Sequence, residues 1–139
     1  MKKLLALLIC MVVAFSSASV LAADISAVAN PVVVNGEEIK FDQGPVLYET
    51  VLMLPLRFIA EKIGATVSWH GEMQTVFCAL GENVTTLQIG TDKVFVNTDT
   101  FELEKAPIII EGRTLVPAFV IEQITGLTCQ WEDGKLHIK

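Results

Sequence analysis

The sequence predicts an α+β domain: antiparallel, strongly twisted sheets packed around one or two short helices, with a two-fold internal repeat. Three observations lead there. First, residues 54–69, LPLRFIAEKIGATVSW, return in altered form at 116–131 as VPAFVIEQITGLTCQW. Asn35, Pro45, Pro55, Gly64 and Trp69 recur 62 residues later as Asn97, Pro107, Pro117, Gly126 and Trp131, and a fixed spacing of this kind marks a repeated structural unit. Second, helical periodicity is confined to these two passages. Third, the remaining apolar runs are short and separated by turn residues such as Asn35-Gly36 and Asp133-Gly134, which is the pattern of hairpins.

Taken from the start, Lys2 and Lys3 precede an apolar run over 4–15, and Val20-Leu21-Ala22 offers a small-residue cleavage site. Residues 1–22 therefore read as a signal peptide. A retained membrane anchor is the competing reading, but the run is shorter than the ~20 residues that a bilayer span needs. Residues 23–31 read as a lead-in, and 32–139 as a single domain of two related units, about 32–80 and 94–139.

In the first unit, residues 32–34 and 37–41 flank Asn35-Gly36, a two-residue hairpin turn in which both positions want φ > 0. Gly44-Pro45 breaks that ladder, and 46–48 and 51–54 form a small hairpin around Glu49-Thr50. Pro55 suits the first turn of a helix because its missing N–H would have had no partner there, and Gly64 suits the position just past the end. Between them Leu56, Ile59, Ala60 and Ile63 fall on one stripe, with Arg57, Glu61 and Lys62 on the other side. Ala65, Val67 and Trp69 then alternate with polar residues, predicting a returning strand with Trp69 buried against the helix.

Residues 74–80 and 84–89 extend this as an antiparallel meander. The second unit opens with 93–97 and 100–103 flanking a Thr98-Asp99 turn, and Ala106-Pro107 breaks its ladder. Residues 108–110, the turn Glu111-Gly112-Arg113 and 114–116 lead into a second helix whose stripe is Val120, Ile121 and Ile124. The chain closes with 127–131, carrying Trp131, then Asp133-Gly134 and 135–138.

Composition excludes some functions. Without Lys2 and Lys3, the 10 basic residues become 8 against 16 acidic ones, a net charge of −8. Such a domain lacks the Lys/Arg clusters that nucleic acid or anionic lipid requires. Cys78 and Cys129 remain after cleavage; export permits a disulfide between them, and two buried thiols are the alternative.

The phrases VNGEEIKFDQGP, LPLRFIAEKIGATVSW and EGRTLVP, with the final W-x-D-G turn, resemble the copper amine oxidase N-terminal domain-like family, also called stalk domains. The resemblance runs from about Val32 to Lys139. It implies an extracytoplasmic bacterial module whose namesake is a non-catalytic stalk, an antiparallel sheet twisted about a helix and remote from the copper. It therefore implies neither copper nor oxidation. The first unit has Glu49-Thr50-Val51 where the second has Glu111-Gly112-Arg113, and the second has no arginine matching Arg57.

The residues offer little for chemistry. His70 and His137 are the only histidines and belong to no metal-ligand spacing, so no metal or other cofactor is expected. Glu61 and Glu122 match within the helices as a conceivable carboxylate pair, but Arg57 and Glu61 at i,i+4 read better as a solvated ion pair. No serine lies in G-x-S-x-G, and Asn83-Val84-Thr85 is a short glycosylation-like pattern of little specificity. Arg113 could fork onto a ligand carboxylate or close its turn, and Arg57 is the other candidate contact. The sequence thus predicts a secreted, non-catalytic binding or interaction module at the bacterial cell envelope. Its partner would be an envelope protein or a cell-wall polymer, with glycan binding as the alternative form. No nucleic acid partner, and no membrane insertion after signal cleavage, is expected.

Overall fold

A computed structural model describes residues 24–139; the signal segment expected at 1–22 lies outside the described residues. The described residues form fourteen strands and two helices in the order β1 (Ile25–Ala27), β2 (Val32–Val34), β3 (Glu37–Ile39), β4 (Val46–Tyr48), β5 (Val51–Pro55), α1 (Leu56–Lys62), β6 (Thr66–His70), β7 (Thr75–Leu80), β8 (Asn83–Gln88), β9 (Lys93–Val96), β10 (Asp99–Glu102), β11 (Ile108–Ile110), β12 (Arg113–Pro117), α2 (Ala118–Thr125), β13 (Cys129–Glu132) and β14 (Lys135–Ile138). These make three sheets, ordered β1-β4-β5-β12-β11, β10-β9-β8-β7-β6 and β13-β14-β2-β3. The fold is α+β, mostly antiparallel, with two short helices. Among the described residues the one parallel pair is β14 on β2, which joins the last strand to one of the first, with the intervening chain as its long connection.

Tight turns hold the ladders in register. Asn35 and Gly36 take φ of 48° and 83°, Glu111 and Gly112 take 50° and 74°, and Asp133 and Gly134 take 52° and 76°. Two successive residues at positive φ match the twist of a hairpin. Asn97 has φ 54° and lies between β9 and β10. The turn is therefore Asn97-Thr98, not the expected Thr98-Asp99, and Asp99 opens β10 opposite Val96. Asparagine tolerates the left-handed region better than threonine or a strand-bound aspartate would, which fixes the turn one residue earlier.

The expected lead-in contains a strand: β1 pairs with β4, Ile25 opposite Tyr48. All three of its residues are exposed, so it has no buried face to leave an alternating trace in the sequence.

β5 runs directly into α1 and β12 into α2, with Pro55 and Pro117 as the N-caps. β5 and β12 pair antiparallel with Met53 opposite Pro117, Leu54 opposite Val116 and Pro55 opposite Leu115. Leu54 and Val116 are 62 residues apart, so the matched passages meet at matched residues. Another matched contact joins the chain elsewhere: the Val28 N–H donates to the Pro45 carbonyl at 2.9 Å, and the Gly90 N–H to the Pro107 carbonyl at 3.1 Å. Past α1, Gly64 turns the chain at φ 99°, and Gly126 ends α2 at φ 72°.

The core lies between the sheets around both helices. Leu56, Ile59 and Ala60 of α1 and Val120, Ile121 and Ile124 of α2 are buried together with Leu54, Val116, Val32, Leu136 and Ile138. Helices of two turns are unstable alone. Burying each large aliphatic side chain contributes roughly 1.5–3 kcal/mol, which is what holds them against the sheets. A smaller cluster of Val46, Met53 and Leu115 packs the other face of β4-β5-β12.

One expectation about side chains fails. Trp69 is 40 % exposed and Trp131 53 % exposed, so neither seals a sheet to a helix. Both stand on edge strands, β6 and β13, and the alternation that buries Ala65 fades along β6 as the strand leaves the helix. Of the two alternatives for the cysteines, the structure has the free thiols. Cys78 and Cys129 are free thiols in different sheets, Cys78 paired with Val67 and Thr85 in its ladder and Cys129 opposite Ile138.

Candidate functional site

Because β5 passes into α1 without a loop, Arg57 and Phe58 project from the first turn of the helix. β12 runs antiparallel beside β5, so its first residue, Arg113, lies past Pro55 and alongside that turn. Trp69, on the edge strand β6, closes the other side with Val67 and Val76. The result is an open cleft of about 440 Å³ whose walls include Pro55, Leu56, Ile109, Gly112 and Thr114 as well. Both arginines of the chain line it, and none of the 16 acidic side chains does.

The arginines are held from behind. Arg113 donates from Nε to Asp42 Oδ1 and Oδ2 at 3.2 and 3.1 Å, and from Nη2 to Oδ2 at 2.6 Å. Its guanidinium also lies 5.0 Å from the centre of the Phe58 ring. Phe58 is set in turn by an edge-on contact with Phe41, at 5.7 Å between centroids. Residues 41 and 42 thus supply one side chain to orient the ring and one to orient the cation. The hydrogen bond from Arg113 holds the Asp42 carboxyl below the usual carboxylate range, and Asp42 in return raises the Arg113 pKa. Planar Arg–carboxylate pairs of this kind fix orientation as well as charge. Arg113 is therefore held by a carboxylate from the β3–β4 connection and not by the carbonyls of its own turn, and its side chain still lines the cleft.

Arg57 is less committed. Its Nη1 meets Glu61 Oε1 at 3.4 Å, the predicted i,i+4 pair on the exposed face of α1. One long contact leaves most of the five N–H donors of a guanidinium for another acceptor.

A second cleft, of about 350 Å³, lies at the start of α2. It is lined by Thr50, Val51, Leu52, Pro117, Ala118 and Phe119, with Glu102, Leu103 and Glu104. Thr50, Val51 and Leu52 are the residues 62 before Gly112, Arg113 and Thr114, and Glu104 lies 62 after Asp42. The matched positions thus build a cleft without arginine and with two carboxylates.

The other sequence candidates do not converge. Glu122 accepts the Cys129 N–H at 3.1 Å, tying α2 to β13, and so makes no pair with Glu61. His70 stacks edge-on against Phe77 at 5.0 Å, while His137 faces Gln130 across the β13–β14 ladder. Among the described residues no three His, Cys, Asp or Glu side chains gather as metal ligands. Asn83 Oδ1 accepts from Asn97 Nδ2 at 2.9 Å, and Asn97 Oδ1 accepts the Val84 N–H at 2.9 Å, so the repeated asparagine links two strands here. Burial pushes the Cys78 thiol up to about 11; burial, then the nearby Glu122, pushes Cys129 up to about 12. These are unreactive thiols at neutral pH. The Arg113–Asp42 pair, 71 residues apart, was invisible in the sequence, although Phe41-Asp42 and Leu103-Glu104 keep an apolar–acidic order at matched positions.

Fold and cleft together define a small α+β module in which hairpins lock two two-turn helices and the one arginine-lined surface is a groove between strand edges. The chain belongs to the copper amine oxidase N-terminal domain family, whose model matches residues 33–139. The family is a non-catalytic, stalk-type domain. No curated protein matched the chain in a sequence comparison.

Proposed function

We propose that the chain is a secreted, non-catalytic binding module of the bacterial cell envelope, built from a duplicated unit, and that it contacts its partner through the Trp69 cleft. The observation that carries this reading is the exposed indole of Trp69 beside the chain's two arginines. An apolar ring with a polar edge, half in water, is the surface that recognition sites favour. The paired residues at Leu54 and Val116 and the hydrogen bonds to Pro45 and Pro107 support duplication as the source of the frame. The amino-terminal sequence supports export, and no helix among the described residues is long and apolar enough to cross a membrane.

A cell-wall polymer is favoured over an envelope protein because the exposed Trp69 offers a platform on which a sugar ring can stack. The test is affinity capture with the mature chain from an envelope fraction of its own cells. Retention of wall material, or of a defined envelope protein, at near-stoichiometric amount supports envelope binding. Passage of every component equally through wild type and a Trp69→Ala variant contradicts it.

A further inference from the structure

We infer that the Trp69 cleft binds a glycan whose pyranose rings carry carboxylates, a uronate-type polymer, with a ring stacked on the indole and its carboxylate on Arg57. The inference rests on the envelope-binding reading and names the ligand class for its site. Three features of the cleft select this class. Trp69 stands on an edge strand, is 40 % exposed and lines the cleft, so the residue offers an aromatic surface to water there. The C–H face of a pyranose covers such a ring without stranding its hydroxyls, which point sideways to the polar rim.

The second feature is charge. The described chain has 16 acidic and 8 basic residues, yet this lining holds two cations and no anion. Asp42 faces Arg113 and Glu61 faces Arg57 from outside the lining. Both therefore orient the guanidinium groups without occupying the cleft.

The third is availability. Arg113 spends Nε and Nη2 on Asp42 and leaves Nη1 unengaged; Arg57 has the single 3.4 Å contact to Glu61. An exposed i,i+4 pair costs little to open, so a ligand carboxylate can replace Glu61 on Arg57 as a two-bond partner. The cleft at α2 offers no such exchange, since Val51 stands at the position matched to Arg113 and Glu102 and Glu104 repel an anion.

The test uses the mature chain and a defined probe, an α-1,4-linked oligogalacturonate, against its methyl ester, followed by tryptophan emission in a Trp131→Phe background so that Trp69 alone reports. The expected result is a saturable change with the oligogalacturonate that weakens with added salt. Affinity for the methyl ester, and for the oligogalacturonate after Arg57→Gln, falls about tenfold or more, the worth of a charge-assisted bidentate contact. Arg57 and Trp69 are exposed, and thermal melts verify that the variants fold. Equal affinity for acid and ester, no saturation in the millimolar range, or indifference to Arg57→Gln overturns the proposal. If the chain still retains wall material in the capture experiment, only the ligand class has failed; if it retains nothing, the binding reading has failed with it.

Discussion

The clefts at α1 and α2 are lined by residues at matched positions of the sequence and differ in nearly every polar side chain. Each is made where a strand passes through proline into a helix, beside the hairpin of the other half, and matched residues line both. Yet one presents Arg57, Arg113 and an exposed Trp69, while the other presents Val51, Glu102, Glu104 and Phe119. The frame is therefore set by residues that neither cleft displays: Leu54 against Val116, and Ile59, Ala60, Val120, Ile121 and Ile124 of the two helices. Side chains at the rim can differ while that frame stays, and this is why one fold can carry one arginine-lined surface and one acidic one.

The largest effects should fall on the shared frame and be equal in both halves. Ile59→Ala and Ile121→Ala each remove a fully buried side chain and should cost about 2–5 kcal/mol, read as a lower urea midpoint. A large cost on one side and little on the other would show that one helix is an appendage. Next comes the end of α2, where Gly126 sits at φ 72°. Gly126→Ala should cost about 1–2 kcal/mol, because a side chain there meets the following carbonyl.

A pH experiment separates the clefts more sharply. Asp42 has its pKa lowered by Arg113, so its contribution is present above the ordinary carboxylate value and disappears as pH falls through the depressed one. Thermal stability of the wild type should drop on acidification below about pH 4, and Asp42→Asn should remove part of that drop. The cleft at α2 has no arginine in its lining, so no such pair contributes there.

At the alkaline end the thiols dominate. Their pKa values, raised to about 11 and about 12, leave both protonated at neutral pH, so stability is unaffected there and declines only as pH rises past the ordinary thiol value of 9.0. Iodoacetamide should modify neither cysteine in the native protein at pH 8 and both after unfolding, as counted by mass. The smallest effect is expected from Glu61→Gln, which should change stability by no more than ~0.5 kcal/mol while leaving Arg57 free for ligand.

The sequence made the frame readable because its signals were local. Asn35-Gly36, Asp133-Gly134 and the Pro55–Gly64 bracket each act through backbone conformation within a few residues, and the helix stripes follow from a single period. The Arg57–Glu61 pair is legible for the same reason. What needed three dimensions was the cleft. Arg113 and Asp42 are brought together only by the packing of β12 beside β5, and Trp69 is exposed only because β6 is the last strand of its sheet. Alternation states which face a residue occupies, not whether anything covers that face. The strand at Ile25–Ala27 escaped for a related reason, since an edge strand exposed along its length leaves no apolar rhythm.

The comparison is tested most directly by co-sedimentation of the mature chain with purified cell-wall material, using Trp69→Ala and Phe119→Ala, one aromatic side chain from each cleft. Wild type and Phe119→Ala should sediment with the wall alike, and Trp69→Ala should stay in solution while melting as a folded protein. Retention of Trp69→Ala at the wild-type level, or equal loss from both variants, would contradict the assignment of recognition to the arginine-lined cleft.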